Sequence, residues 1–352
     1  MILTIAGHNH TAYLQEGSLT VRTFGALRSS FSAKLSFSDI PNALPLVGQE
    51  ITVTDGGKTL WGGILIETEI EIHSPKLATV TLRGEGYEHL LQRFCLPAMD
   101  LPDTTPSNAA IYIFETYFPK SDGLALGTVA AGQSIGTEYH FSPAKASAIM
   151  DFLAKENGYI WWVDKNKAFH MGPTLPQNPL SRGIDLTKTS ASSLTDLQTL
   201  TFFSSTAGYR NVQYVYHKTE NILAKAFRTD EVAKMQKRYG CGQYGAAGYS
   251  SALQSEEDAR LLAQQLLSTA PGTDEIRFTT DSDAFAPGII FPVTAPICGI
   301  DSPTNFHVTE TKATYFAHRF RYTVTAKQGG ESSPKEERWE QLLASRSQTE
   351  TR

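Results

Sequence analysis

The sequence is poor in cysteine: it has three, Cys95, Cys241 and Cys298, an odd number and widely separated. That spacing argues against a disulfide framework and predicts reduced, mostly buried thiols. Long apolar runs are also missing. No stretch approaches the roughly 18 consecutive apolar residues that a membrane-crossing helix needs, so no membrane anchor is expected. The opening residues, Met1 to Gly7, lack both a basic start and a long apolar run, which speaks against a secretory leader and for synthesis in a cytoplasm. Excess positive charge is absent too. The formal net charge is −5, which gives no bulk support for binding nucleic acid through its phosphates.

The usual signatures of catalysis are missing as well. There is no Gly-x-x-x-x-Gly-Lys-Ser/Thr phosphate loop, no His-Glu-x-x-His zinc helix and no Gly-x-Ser-x-Gly elbow. His8 and His10 offer two imidazoles but no third or fourth ligand at usable spacing. His89 and Cys95 read as part of a half-buried helical turn with Leu90, Leu91 and Phe94, because nothing in the sequence orients the histidine as a base. Gly240-Cys-Gly-Gln-Tyr-Gly245 matches the dinucleotide fingerprint in letters. Lys234 to Tyr239 before it is no buried strand, however, so the match reads as a flexible loop. Glu67, Glu69 and Glu71 would stand about 7 Å apart on one strand face, a spacing at which carboxylates cooperate in glycoside hydrolysis. A solvated or channel-lining face accounts for them without any acid of raised pKa. The expectation is a protein with no catalytic residue, no cofactor and no metal.

What is present is a long chain dominated by strands and turns. At 352 residues it exceeds what one core usually organises, so several domains are expected. Residues 1–97 read as a first antiparallel barrel. Its clearest segment, Leu60 to Ile72, places Ile64, Ile66, Ile70 and Ile72 on one, buried face and Glu67, Glu69 and Glu71 on the other, in water. The turn Asp55-Gly-Gly-Lys58 makes a hairpin with Glu50 to Thr54, and Ala78 to Arg83 adds a third strand. A linker from Leu96 to Pro106 leads into residues 98–185, a small α/β domain. It holds helices over 108–118 and 143–157, the second started by Ser142-Pro143 and stopped at Gly158, and a hairpin over 159–171. Within that hairpin, alternation sends Trp161 and Trp162 to opposite sides. Residues 193–217 with 274–330 read as a second barrel, interrupted by an insertion over 218–273 with one strong helix, Ser255 to Leu267. A polar tail, 331–352, closes the chain. There Ser333-Pro-Lys-Glu336 makes a capping box ahead of Trp339, Leu342 and Leu343, a candidate docking stripe. The fold class is therefore mainly β with α+β insertions.

Gly48-Gln-Glu-Ile-Thr-Val53 is echoed by Gly288-Ile-Ile-Phe-Pro-Val293, and the segments that follow end in Thr79-Val-Thr81 and Thr323-Val-Thr325. The echo predicts a duplicated barrel with Gly48 over Gly288, Val53 over Val293 and Val80 over Val324.

Taken in order, several segments resemble the hub proteins of phage tails, including the late control D proteins, the tail-associated hubs and the hub region of type VI secretion spikes. The carriers are Pro45 to Val53 with Leu60-Trp-Gly-Gly-Ile64, the helix Ala146 to Glu156 running into Asn157-Gly-Tyr-Ile-Trp-Trp162, and Gly208-Tyr-Arg-Asn-Val212 with Glu256 to Leu267 and Phe285-Ala-Pro-Gly288. The resemblance implies a homotrimer whose two barrels per chain make a pseudo-sixfold ring. Such a ring adapts a hexameric tail tube or distal tail protein to a separate tip, spike or fibre protein, and DNA passes through it without specific binding. It implies a location in the virion, at the tail tip or baseplate. Glu67, Glu69 and Glu71 would then face the channel. A cell-wall-degrading enzyme of the tail tip and a carbohydrate-binding β module are the competing readings.

Overall fold

The computed structural model describes residues 1–24, 28–39, 44–118, 123–131, 137–157, 159–172, 180, 183–187, 197, 199–206, 209–216, 223–249, 256–268 and 274–328. A thirteen-stranded sheet dominates it. Twelve of its strands, in chain order, are β1 (Ile2–Ile5), β2 (Thr20–Phe24), β3 (Arg28–Phe37), β4 (Glu50–Asp55), β5 (Lys58–Ile72), β6 (Ala78–Gly86), β7 (Ile184–Asp185), β8 (Thr199–Ser204), β9 (Asp274–Thr280), β10 (Ile290–Ala295), β11 (Ile300–Phe316) and β12 (Arg319–Gln328). The thirteenth, His8–Asn9, pairs only with β1.

Local sequence explains the strand turns. Gly56 and Gly57 have φ of 52° and 79°, left-handed at both central positions of a two-residue turn, so β4 folds directly back into β5. In β5 the ring of Trp61 stacks on Phe31 with centroids 5.0 Å apart, and its Nε1 donates to Ser29 Oγ at 2.8 Å. A Cβ on Gly63 would lie 2.1 Å from the Glu85 carbonyl oxygen and 2.7 Å from the Trp61 ring. The glycine therefore admits both the ring and the neighbouring strand.

The first six strands and the last six repeat each other. Their orders are β2-β3-β6-β5-β4-β1 and β8-β9-β12-β11-β10-β7. Glu50 opposite Ile64 and Val53 opposite Trp61 correspond to Ile290 opposite His307 and Val293 opposite Thr304. Gly48 and Gly288 have φ of 90° and 91°, and their N–H groups donate to Leu65 O and Val308 O at 2.7 and 2.9 Å. Each long strand then carries a bulge at the same place, between Leu65 and Glu67 in β5 and between Val308 and Glu310 in β11. The expected overlay of Val80 on Val324 needs correction. Val324 lies opposite Thr311, one residue past the bulge pair, which is the place Leu82 takes opposite Thr68, so the two valines share equivalent strands but stand two residues apart. The halves also differ in one pairing: β1 runs antiparallel to β4, β7 parallel to β10.

Each half has its own apolar core. Leu3, Phe31, Leu35, Ile51, Leu65 and Val80 fill the first, Phe278, Phe285, Phe291, Phe306, Val308 and Val324 the second. Burying each phenylalanine fully is worth roughly 1.5–3 kcal/mol. The halves are joined where β11 pairs with β2, and Phe320 near the tip of the β11–β12 hairpin packs into the first core. Among the described residues neither half closes through a ladder between its end strands. In the first, a bridge from Leu14 to Leu35 brings the chain after β1 round to β3.

The bulge also corrects the strand face expected over 60–72. Ile64 lies opposite Glu85 and packs toward the helical unit that follows. Ile70 and Ile72 lie opposite Val80 and Ala78, on the core side. The extra residue at the bulge flips the alternation, so the four isoleucines do not share a face. Ile70 and Ile72 are 40% and 69% exposed, because β4 leaves β5 at Ile64.

Between the halves, α1 (His89–Arg93), α2 (Pro106–Tyr117) and α3 (Ala146–Asn157) pack with the hairpin of Ile160–Val163 and Ala168–Gly172 around Leu91, Ile113, Phe114, Leu153, Trp161 and Phe169. Three expectations change here. The linker contains a strand, Met99–Thr104, paired with Thr137–Phe141. Helix α2 begins two residues earlier than expected, because Thr105 caps it: its Oγ1 accepts the Asn108 N–H at 3.1 Å and Pro106 takes the first helical position. Helix α3 begins later than Pro143, because Ala144–Lys145 pairs with Cys95–Leu96. Gly158 lies outside the described residues.

The second insertion also differs from expectation. Val212–Tyr216, assigned to the second barrel by sequence, instead forms a three-stranded sheet with Leu223–Phe227 and Gly245–Tyr249. That sheet packs on α5 (Glu256–Ser268) through Val215, Ala226, Leu262 and Leu266. An unexpected helix, α4 (Thr229–Tyr239), ends at Gly240 in the left-handed region, with φ of 73°. Ile184–Asp185, assigned by sequence to the α/β domain, pairs with β10 of the second half.

Candidate functional site

The sheet face turned away from the two cores carries polar and charged side chains. Glu67, Glu69 and Glu71 do share it, opposite Arg83, Thr81 and Thr79, and all three are exposed. Period-2 alternation past the bulge puts them there. They are not an isolated acidic row. Arg83 pairs with Glu67 at 3.0 Å, Arg22 with Glu310 at 2.6 Å, and Glu275 lies 3.9 Å from Arg277 and 3.8 Å from Lys327. Each exposed pair contributes little, roughly 0–1 kcal/mol. These pairs cancel charge only where they stand, since Glu69 and Glu71 lie opposite Thr81 and Thr79.

Two polar junctions fix the insertions to the halves. At the first, Asp151 accepts from Trp161 Nε1 at 2.8 Å and from Arg28 at 3.2 Å. Beside it, Lys167 reaches Glu50 at 3.0 Å and lies 5.2 Å from the centroid of the Tyr87 ring, while the Tyr87 hydroxyl donates to Glu50. Burial, and then the Glu50 carboxylate, push the Tyr87 phenol well above its ordinary range. Close by, Glu88 is 6% exposed and accepts the Ser29 N–H at 2.9 Å. Burial pushes its carboxyl up to about 7 against the opposing pull of that N–H and of Arg28.

At the second junction, Asp274 is 4% exposed and takes Arg238 at 3.0 Å and the Ser204 hydroxyl. Arg238 also donates to the Cys298 carbonyl at 3.2 Å. Asn211 is fully buried, donating to Gly242 O at 2.8 Å and accepting the Tyr244 N–H at 2.9 Å. Sequence reasoning did not single out Glu88, Arg238 or Asp274. Each draws its hydrogen-bond partners from residues 34 to 70 positions away, so no local pattern marks them.

The other residues weighed from sequence come out as follows. His89 does have an orienting partner, Glu85, at 3.0 Å, a correction to the earlier expectation. Cys95 is exposed, and its thiol lies 3.9 Å from the Leu96 carbonyl. The cysteines are not buried: Cys95 and Cys241 are exposed, and Cys298 is half-buried against the second core. Trp161 is buried while Trp162 stacks on His170 at 5.2 Å, so they do point to opposite sides and form no shared aromatic platform. Among the described residues no three His, Cys, Asp or Glu side chains gather as a metal would require. No described helix is long and apolar enough to cross a membrane. Trp339, Leu342 and Leu343 lie outside the described residues.

No family model and no curated protein matches the sequence. Solved structures do match the fold. A 43 kDa tail protein of prophage MuSo2 from Shewanella oneidensis superposes with a TM-score of 0.70 at 12% identity, over 95% of this chain and 98% of that one. A tail protein from Neisseria meningitidis gives 0.65 at 11% identity, over 95% and 98%. An Escherichia coli component of the type VI secretion system, described as similar to the T4 phage tail proteins gp27 and gp5, gives 0.52 at 13% identity, over 94% and 78%. The chain has the fold shared by phage tail proteins and type VI spike proteins, mainly β with helical insertions.

Proposed function

We propose that the chain is the structural hub of a phage-type tail tip or baseplate in the virion. Three copies form a ring of six similar lobes that adapts a hexameric tail tube or distal tail protein to a separate trimeric tip, spike or fibre protein. The observation that supports this best is the internal repeat, matched down to Gly48 and Gly288 and to the bulges of β5 and β11. A trimer presents six equivalent surfaces only when each chain carries two similar copies. DNA passes through the ring without specific binding, along a face that carries exposed glutamates beside its ion pairs. Glu67, Glu69 and Glu71 are proposed to line that channel. The segment after residue 330, with Trp339, Leu342 and Leu343, is proposed to dock a tip or neighbouring tail protein. No enzymatic activity is assigned.

Electron micrographs of the purified protein test the reading. Threefold rings with six lobes are expected. Particles of twofold symmetry, or single lobed monomers, overturn it.

A further inference from the structure

We infer that the uncovered edge of β5, Thr68 to Glu71, is completed by β8 of a second copy in an antiparallel ladder with Ile70 opposite Phe202 and Glu69 opposite Phe203. This deepens the ring reading and rests on it. The two halves repeat strand for strand, but their edges are not equally covered. Past its bulge, β11 has β12 on one side and β2 on the other, with Lys312 opposite Arg22 and Ala313 opposite Val21. The equivalent stretch of β5 has β6 on one side and, among the described residues, no strand on the other. The counterpart of β2 is β8, which pairs with β9 and, among the described residues, has no strand on its outer side. Among the described residues, each chain therefore makes this junction once, inside itself, and carries both unmatched edges of a second.

The register follows from the repeat. Val21 lies opposite Phe31, which lies opposite Gly84; Phe202 lies opposite Ile276, which lies opposite Ala326. Gly84 and Ala326 both face the residue just before the bulge, Leu65 and Val308. Val21 thus corresponds to Phe202, and Ala313 to Ile70. In the internal junction this pair covers the first core. Across the open junction both members are apolar, and Ile70 is 40% exposed although it lies directly opposite the fully buried Val80. Phe203, on the outer face of β8, is 59% exposed. An uncovered apolar edge of this kind pairs readily with another strand. Because unlike edges meet, copies add head to tail and form a ring where the rotation closes.

The test uses the full chain with Cys95, Cys241 and Cys298 changed to serine and with Glu69→Cys and Phe203→Cys added, both at exposed positions. Mild oxidation should give covalent dimers and trimers that reductant dissolves and that neither single variant forms. The offset pair Glu69→Cys with Thr201→Cys should cross-link several-fold less, since directly opposed residues fit disulfide geometry better than diagonal ones. Independently, Ile70→Asp should raise the concentration of half-dissociation at least tenfold. A trimer that fails to cross-link at this pair overturns the strand pairing and leaves the ring standing. A cross-link within one chain also overturns it, and a persistent monomer overturns both.

Discussion

Glu88 makes stability depend on pH in a calculable direction. Its carboxyl is 6% exposed, and burial moves its pKa from the ordinary 4.5 to about 7. Below pH 4.5 it is protonated whether the chain is folded or not. Between pH 4.5 and 7 the folded protein keeps a proton that the unfolded chain has lost, so stability falls as pH rises, and above about 7 the loss is complete. At about 1.4 kcal/mol per pH unit, the cost comes to about 3 kcal/mol. Glu88→Gln removes the titration and keeps an oxygen for the Ser29 N–H, whose own hydroxyl holds Trp61. Urea denaturation followed by tryptophan fluorescence reads both the site and the first half. From about pH 4 to about pH 8, wild type should lose about 3 kcal/mol more than the variant. Parallel pH profiles for the two proteins would refute the reasoning.

Other substitutions carry simpler expectations. Gly63→Ala drives a methyl group against the Glu85 carbonyl and the Trp61 ring, and should destabilise the first half by about 3 kcal/mol in the same assay. Arg238→Ala strands the buried Asp274 carboxylate and should cost about 3 kcal/mol, read as earlier hydrogen exchange in β9 than in β6. Native thiol titration with an aromatic disulfide should label Cys95 and Cys241 quickly and Cys298 slowly, since burial, then Asp274, raise the Cys298 thiol pKa. Deleting residues 331–352 should leave the number of chains per particle unchanged and weaken capture of a tip protein. Dissociation of the particle would instead make that segment part of the ring.

Much of the strand framework was legible because short-range chemistry specifies it. Gly56-Gly57 announced the β4–β5 hairpin, and the spacing from Gly48 to Val53 and from Gly288 to Val293 announced the repeat that the pairing bears out. The bulges were not legible. A single extra residue at Ile66 leaves the local pattern of isoleucine and glutamate intact while reversing which isoleucines meet the core. Signals were also overlooked. Thr105-Pro106 is a regular helix start, and α4 has Asp230 and Glu231 in its first turn, Lys237 and Arg238 in its last and Gly240 beyond, all favourable to the helix dipole. Its one buried residue, Met235, left no apolar stripe to notice. The junction residues Glu88, Asn211 and Asp274 depend on partners brought together only by the fold, so their burial had no trace in the sequence.

The central claim is a closed assembly of three chains, and sedimentation equilibrium of the purified protein over a wide concentration range tests it most directly. The account predicts a single species of three times the chain mass, stable on dilution to the micromolar range. A species of one chain mass that persists at the highest concentrations would contradict it.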